Sequence, residues 1–303
     1  VSSVVLPAVG LGCASLGKPE VAEAEAVGTM LAALEAGIGY FDTAPLYGCG
    51  LSERRVGAAL GRAGAHAVTL STKVGYTIDG PEGGYLPADR RRHDFSRQGI
   101  RDSLFRSFER LGVAHVALVS LHDPVERIDA AADGFAALDE LRAEGHLDAI
   151  GVGTNSAATA LALLERCPLD AVLIAGRVTL LDRQAVPALL PACSARGVHV
   201  IAGGVFNSGI LADPQAGAAR FDYAPAPARR RAAAEDLAAE AARHGVPLRA
   251  AALQFARRQA GVGTTLLGPA SRRELEECLA GLALTVPETL WSELDSIAAR
   301  HAL

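Results

Sequence analysis

In YFDTAPLYGCGLSERRVGAAL, residues 40–60, a short apolar run delivers an aspartate, then a tyrosine five residues later, and then breaks into an amphipathic pattern. Tyr40-Phe41 reads as the end of a strand. Ser52-Glu53, followed by Val56 and Leu60, reads as a helix start. Asp42 and Tyr47 therefore stand where a strand hands over to a helix. The rest of the chain repeats this handover.

Apolar runs that read as strands recur at 9–16, 39–44, 67–74, 115–122, 147–155, 170–176, 198–204 and 263–268. Between them lie helical patterns such as EAVGTMLAALEAG, RQGIRDSLFRSFERLG, ADGFAALDELRAEG and RQAVPALLPACSARG. Several close on a glycine, at Gly37, Gly112, Gly145 and Gly197, where a left-handed residue ends a helix at no steric cost. Near-continuous apolar strands alternating with helices predict a parallel sheet covered by helices. Eight units in 303 residues favour a closed (β/α)8 TIM barrel, one domain over residues 1–303, rather than an open doubly wound sheet. The first strand lacks the G-x-G-x-x-G that opens the first helix of the dinucleotide-binding open fold. Two stretches break the rhythm, residues 75–95 after the third strand and 207–230 after the seventh. Loops of this length are usually functional, and both leave the C-terminal face, where barrels keep their active sites.

Bulk composition narrows the partners. Half of the residues are apolar and the net charge is −5, with both signs mixed along the chain. That argues against nucleic acid, whose phosphates call for a basic surface. No apolar run approaches the roughly 18 residues of a membrane span. The opening VSSVVLPAVG lacks the charged region of a secretory signal. The five cysteines, Cys13, Cys49, Cys167, Cys193 and Cys278, are odd in number and contain no C-x-x-C, so neither a disulfide framework nor a zinc site is expected. The expectation is a cytoplasmic protein with reduced thiols, acting on a small molecule without a metal.

Polar residues collect at the predicted strand ends: Asp42 and Tyr47 after the second, Lys73 on the third, His122 on the fourth, Asn155 on the fifth. A barrel brings these ends into one pocket. The motifs F-D-T-A-x-x-Y-G, S-T-K and L-H-D resemble the aldo-keto reductase superfamily, and the resemblance runs from Leu11-Gly12 to Leu279. It implies a catalytic tetrad of Asp42, Tyr47, Lys73 and His122, and NAD(P)(H) bound to a barrel without a dinucleotide domain. The chemistry of those residue types is independent of the resemblance. Hydride transfer from a carbinol needs a group to take the hydroxyl proton, and a tyrosine near pKa 10 is too weak a base at neutral pH. A buried ammonium beside it favours the phenolate, and Asp42 holds that ammonium in place. On that logic the pair lowers the phenol by about two to three units, roughly 3–4 kcal/mol. His122 orients the substrate oxygen and shares the proton load.

The same resemblance implies the cofactor residues. They are Gly12, Asp42, Thr154 and Asn155 at the nicotinamide end, and Val205, Phe206, Asn207, Ser208, Gly209 and Leu211 over the pyrophosphate. Gly268, Ser271, Arg272, Glu274 and Glu277 stand at the adenosine end. The sequence departs from the family pattern at Ala175, where a glutamine commonly assists the carboxamide, at Val178, where an aromatic is usual, and at Cys278 in place of an asparagine. A carboxylate near the adenosine ribose suits free hydroxyls and repels a 2′-phosphate, which favours NAD over NADP, although Arg272 and Arg273 stand nearby. Residues 175–214 and FDYAPAPA resemble the branch of D-threo-aldose 1-dehydrogenase, L-fucose dehydrogenase and pyridoxal 4-dehydrogenase, which oxidise a cyclic hemiacetal to a lactone. Tyr76, Tyr85, Asp123 and Asn207 then become candidates for substrate hydroxyls. Two readings compete. One is an NADPH-dependent aldehyde or ketone reductase running the same tetrad in reverse; the other is a cofactor-sensing regulatory subunit resembling potassium-channel β subunits.

Overall fold

The computed structural model describes residues 5–64, 68–125, 127–215 and 219–303. Residues 1–4 of the opening segment, Ala67 of the third expected strand and 216–218 of the second long loop lie outside the described residues.

Eight parallel strands close into a barrel. They are β1 (Val9–Gly12), β2 (Tyr40–Asp42), β3 (Thr69–Val74), β4 (Val116–His122), β5 (Leu147–Thr154), β6 (Ala171–Ala175), β7 (His199–Gly203) and β8 (Val262–Leu267). Each strand pairs with its neighbours in sequence, and β1 closes the ring on β8. Every expected strand falls on one of them. The first is shorter than expected, because after Gly12 the chain turns into a single 3-10 turn at Ser15–Gly17.

Around the barrel run α1 (Glu23–Glu35), α2 (Leu51–Ala63), α3 (Arg97–Leu111), α4 (Ile128–Ala143), α5 (Ala157–Arg166), α6 (Leu189–Ala195), α7 (Ala228–Arg243), α8 (Leu248–Arg258), α9 (Arg272–Ala283) and α10 (Glu288–Arg300). All four expected closing glycines have positive φ, from +66° to +86°. α6 is shorter than its sequence pattern, since Pro187 disfavours helical geometry in the residue before it. Serines 96, 156 and 271 cap α3, α5 and α9 by accepting from backbone N–H groups three residues on.

Alternation along the strands sorts the side chains. Tyr40, Leu118, Ala149, Ala171, Leu173, Ile201 and Leu266 point inward and fill the barrel. Their strand neighbours Phe41, Val119, Ile150, Val172, Val200 and Leu267 face the helices in a second, larger core. Burying one such aliphatic side chain contributes about 1.5–3 kcal/mol. Period two then forces Asp42, Lys73 and His122 onto the inward set, above this plug and at the C-terminal ends.

Both long loops carry order of their own. In the first, Tyr76–Thr77 pairs antiparallel with Arg92–His93. In the second, Arg220–Phe221 pairs with Ala224–Pro225. No helix among the described residues is long and apolar enough to cross a membrane.

Candidate active site

Register brings the inward polar residues level. Asp42 pairs with Ser71 across β2 and β3, Lys73 with Ser120 across β3 and β4, and His122 with Gly153 across β4 and β5. The Lys73 side chain is 1% exposed and lies against Gly153, where a Cβ would stand 3.2 Å from its Cε. A glycine is needed there to give the lysine passage. Its ammonium donates to Asp42 Oδ2 at 2.7 Å and to the Thr43 carbonyl at 2.9 Å. The other carboxylate oxygen accepts from Ser71 Oγ at 2.8 Å, and Ser71 in turn meets the Tyr40 hydroxyl at 2.9 Å. Asp42 is thus held on both oxygens.

The turn after β2 lays the Tyr47 ring 4.8 Å from the Lys73 Nζ. It is pinned by Ser52, whose hydroxyl donates to the Cys13 carbonyl at 2.9 Å and pairs with Thr43 Oγ1 at 2.8 Å. His122 meets Tyr47 edge-on, ring centres 5.8 Å apart. The four expected tetrad residues therefore converge from three strands and one turn.

Their electrostatics differ from expectation in one respect. Burial is the strongest influence on the Tyr47 phenol and drives it above its ordinary value, while Lys73 pulls the other way without prevailing. The expected net lowering of the phenol is not what this geometry gives: the enclosed site disfavours the anion more than one paired ammonium favours it. Burial would also strip the Lys73 proton, but Asp42 and Tyr47 outweigh it and hold the ammonium above the usual lysine range. His122 is pushed well below its ordinary value, by burial first and then by Lys73, Arg91 and His93, so its imidazole is neutral.

Tyr76, His93 and Phe95 form a stack against this centre. Tyr76 and His93 lie 4.1 Å apart, His93 and Phe95 4.8 Å, and the Tyr76 ring meets His122 edge-on at 5.3 Å. His93 Nε2 lies 3.1 Å from the His122 carbonyl oxygen. Of the other expected substrate residues, Asp123 adjoins His122 at the mouth. Tyr85 does not join them: it is 60% exposed and its hydroxyl donates to Glu20 at 2.5 Å, tying two loops together. Asn207 is committed to structure as well, buried, donating to the Gly176 carbonyl at 3.0 Å and accepting from Thr179 Oγ1 at 2.5 Å.

Arg177 is the residue that sequence reading passed over. It is 9% exposed and follows β6 two residues after Ala175. Its Nε donates to the Asn155 carbonyl at 2.7 Å, and its two Nη atoms form a fork with Asp222 at 2.9 and 2.8 Å. One guanidinium thus ties the end of β5 to the hairpin of the second long loop. Ser208 Oγ accepts from Tyr223 N–H at 2.9 Å in the same hairpin. Val178, by contrast, is buried core.

The residues expected to take a nicotinamide cofactor fit it in part. A Cβ at Gly209 or Gly268 would meet nothing within 4 Å, so the backbone at both positions is open to close approach. Thr154 ends β5 with Asn155 following it, and Gly12 ends β1 level with Asp42. Val205 and Leu211 are buried and Phe206 packs on the core, supporting the loop from below. At the other end, Ser271 caps α9, Glu274 Oε2 accepts from the Ala270 N–H at 2.8 Å, and Glu25 Oε1 accepts from the Arg272 N–H at 2.8 Å. Arg272 pairs with Glu276, while Arg249 and Arg273 converge on Glu277. Glu277 is therefore occupied. Cys278 is buried, and burial pushes its thiol up to about 11.

Residues 8–299 match the model of the aldo/keto reductase family. D-threo-aldose 1-dehydrogenase of a Pseudomonas species is 37% identical over 97% of this chain and 94% of its own. Pyridoxal 4-dehydrogenase of Microbacterium luteolum is 34% identical over 97% and 95%. Among solved structures, glycerol dehydrogenase of Gluconobacter oxydans superposes with a TM-score of 0.81 at 25% identity, covering 98% of this chain and 92% of its own. The holo form of an aldo-keto reductase from Bacillus halodurans gives 0.79 at 25% identity, covering 96% and 91%. With Asp42, Tyr47, Lys73 and His122 gathered at the mouth of a closed barrel and these similarities over nearly its whole length, the chain belongs to the aldo/keto reductase family of nicotinamide-dependent oxidoreductases.

Proposed function

We propose that this protein oxidises a cyclic hemiacetal, an aldose or pyridoxal in its ring form, to the lactone with NAD, as one barrel domain over residues 1–303 in a reducing, cytoplasmic setting. The observation that carries the reaction type is the buried Lys73 ammonium, 2.7 Å from Asp42 and 4.8 Å from the centre of the Tyr47 ring. The substrate class is supported by the two dehydrogenases of 37% and 34% identity that act on an aldose and on pyridoxal. The five free cysteines suit a reducing compartment.

Bound nicotinamide supplies the acceptor for the hydride leaving the carbinol carbon. The chain supplies the rest. Neutral His122 donates a hydrogen bond to the reacting oxygen, and Tyr47, once its phenol has released its own proton to solvent, takes the hydroxyl proton. Lys73 stabilises the phenolate for the instant it exists, and Asp42, fixed by Ser71, keeps Lys73 charged. Asn155, whose carbonyl is braced by Arg177, would hold the carboxamide. The preference for NAD is supported at α9. Of its first N–H groups, which would otherwise receive a 2′-phosphate, those of Arg272 and Glu274 are satisfied by Glu25 and Ser271, and the Ala270 N–H just before the helix by Glu274. Two carboxylates at that end would repel a third anionic group.

The test is initial-rate reduction of NAD⁺ and of NADP⁺ with L-fucose, D-arabinose and pyridoxal, against oxidation of NADPH with hydroxyl-free aldehydes. NAD⁺ reduction with at least one ring substrate is expected. Turnover confined to NADPH and simple aldehydes would replace this reading with that of a reductase.

A further inference from the structure

We propose that Asp123 reads substrate hydroxyls beside the reacting carbon, so that the enzyme selects polyhydroxylated rings by a carboxylate acceptor built into the mouth of its pocket. The inference rests on the hemiacetal reading above and names the residue that enforces it.

Asp123 follows His122 at the end of β4, and its N–H continues the ladder by donating to the Gly153 carbonyl at 2.8 Å. Its φ is +45°, a region that side-chain-bearing residues rarely adopt. Asparagine and aspartate tolerate it best, and such strain collects at functional positions. The turn sets the carboxylate at the rim of the pocket, with 29% of the side chain exposed.

The carboxylate is not spent on a cation. Among the described residues no lysine or arginine lies within ion-pair distance of it. Among the described residues its ion-pair-range contact is the His122 Nε2 at 3.9 Å, too far for a hydrogen bond, and that imidazole is neutral. Burial pushes the Asp123 carboxyl upward, while Lys73, the Asn155 N–H, Arg91 and the Thr154 hydroxyl draw it back. A largely enclosed carboxylate without a pairing cation is costly unless donors reach it, and beyond the Asn155 N–H and the Thr154 hydroxyl its exposed side has acceptor sites to spare. Sugar hydroxyls are such donors, and an ionised carboxylate only accepts.

Its surroundings suit a hydroxylated ring. The Tyr76 ring stands edge-on to His122 at 5.3 Å, and the Asp123 charge adds to burial in pushing its phenol up to about 12. The phenol therefore remains a donor beside the acceptor. Tyr223, at φ +64° in the hairpin locked by Arg177, is 72% exposed. Its phenol lies close enough to be raised by the Asp123 charge. One acceptor 3.9 Å from the imidazole assigned to the reacting oxygen, with the Tyr76 ring edge-on to that imidazole, matches a ring bearing hydroxyls next to its carbinol.

The experiment compares each active sugar with its 2-deoxy analogue, for wild type, Asp123→Asn and Asp123→Gly. Both replacements tolerate positive φ, and thermal unfolding verifies that each variant folds. A hydrogen bond to a charged acceptor sets the expected size of the effect, so wild type should prefer the parent sugar about 10- to 100-fold in kcat/KM. In both variants that ratio should collapse toward one, mainly through loss of rate on the parent. Equal loss on parent and deoxy substrates, or an unchanged ratio, overturns the role of Asp123 while leaving the hemiacetal reading intact. Wild type inactive on every ring substrate overturns the hemiacetal reading and takes this assignment with it.

Discussion

The ammonium of Lys73 sits between a carboxylate at 2.7 Å and a phenol ring at 4.8 Å, and the barrel leaves it no other counter-ion among the described residues. Removing one partner of such a buried pair typically costs 3–5 kcal/mol, so its retention inside the barrel calls for a return in function. Because burial outweighs Lys73 at Tyr47, the phenol is protonated at neutral pH and is ready as a proton donor. In the oxidative direction it must first lose that proton. Oxidation should therefore accelerate as pH rises toward the phenol's range, while carbonyl reduction shows no such rise. Tyr47→Phe removes one oxygen and keeps the ring contacts with His122 and Lys73. Turnover should fall about 100- to 10,000-fold in both directions, the usual share of a positioned acid–base group. Binding of cofactor, followed by fluorescence titration, should change little. A variant with undiminished turnover, or one that keeps the wild-type pH profile, would remove Tyr47 from the proton path.

Strands and helices carry these groups, and their legibility was uneven for physical reasons. The run HVALVSLH reads as β4 because a strand buried on both faces is apolar at nearly every position, and its two inward polar residues, Ser120 and His122, stand out against that background. Closing glycines were equally plain, since φ > 0 leaves few other choices. The Arg177–Asp222 fork joins residues 45 apart through a loop whose path no local pattern encodes. Nothing in GRVT distinguishes a structural arginine from a solvated one. The same holds for His93, whose place in the Tyr76–His93–Phe95 stack depends on the fold of the loop between residues 75 and 95. Asn207 misled for the converse reason: an asparagine in a functional loop reads as a ligand contact, whereas burial spends its amide on Gly176 and Thr179. Arg177→Met tests the fork directly. It would leave Asp222 without its partner and the Asn155 carbonyl without its donor. The hairpin holding Tyr223 should loosen, seen as faster amide exchange confined to residues 219–226. The KM for cofactor should rise roughly tenfold, in line with losing a charge-assisted hydrogen bond worth about 1.5–3 kcal/mol. Unchanged exchange in the hairpin would show that the loop is held by Asn207 and its own backbone instead.

Over the whole molecule, three enclosed imidazoles couple folding to pH. His93, His122 and His199 are all pushed below the ordinary histidine value, burial being the first cause in each. The unfolded chain takes up protons on them from about pH 6.5 downward, while the folded chain resists until lower pH. The unfolded state thus binds more protons in that window, and stability rises with pH up to about 6.5 and falls below it. Each group contributes a slope of at most about 1.4 kcal/mol per pH unit, so three give roughly 4 at the limit. Asp123 opposes this only at lower pH, because its raised folded value makes the native state the better proton acceptor nearer the carboxylate range. His199 offers a probe away from the chemistry. It begins β7, at the opposite end of the barrel from the tetrad, where its Nε2 lies 2.8 Å from Thr264 Oγ1 and its ring packs against Gly263. Urea midpoints measured at pH 7.5, 6.5 and 5.5 should fall slightly between the first two and more steeply at the third. His199→Gln should shed part of that drop without altering the pH dependence of turnover. A wild-type midpoint that stays flat to pH 5.5 would mean the folded barrel protonates these rings freely, and the neutral state assigned to His122 in proton transfer would then have to be abandoned.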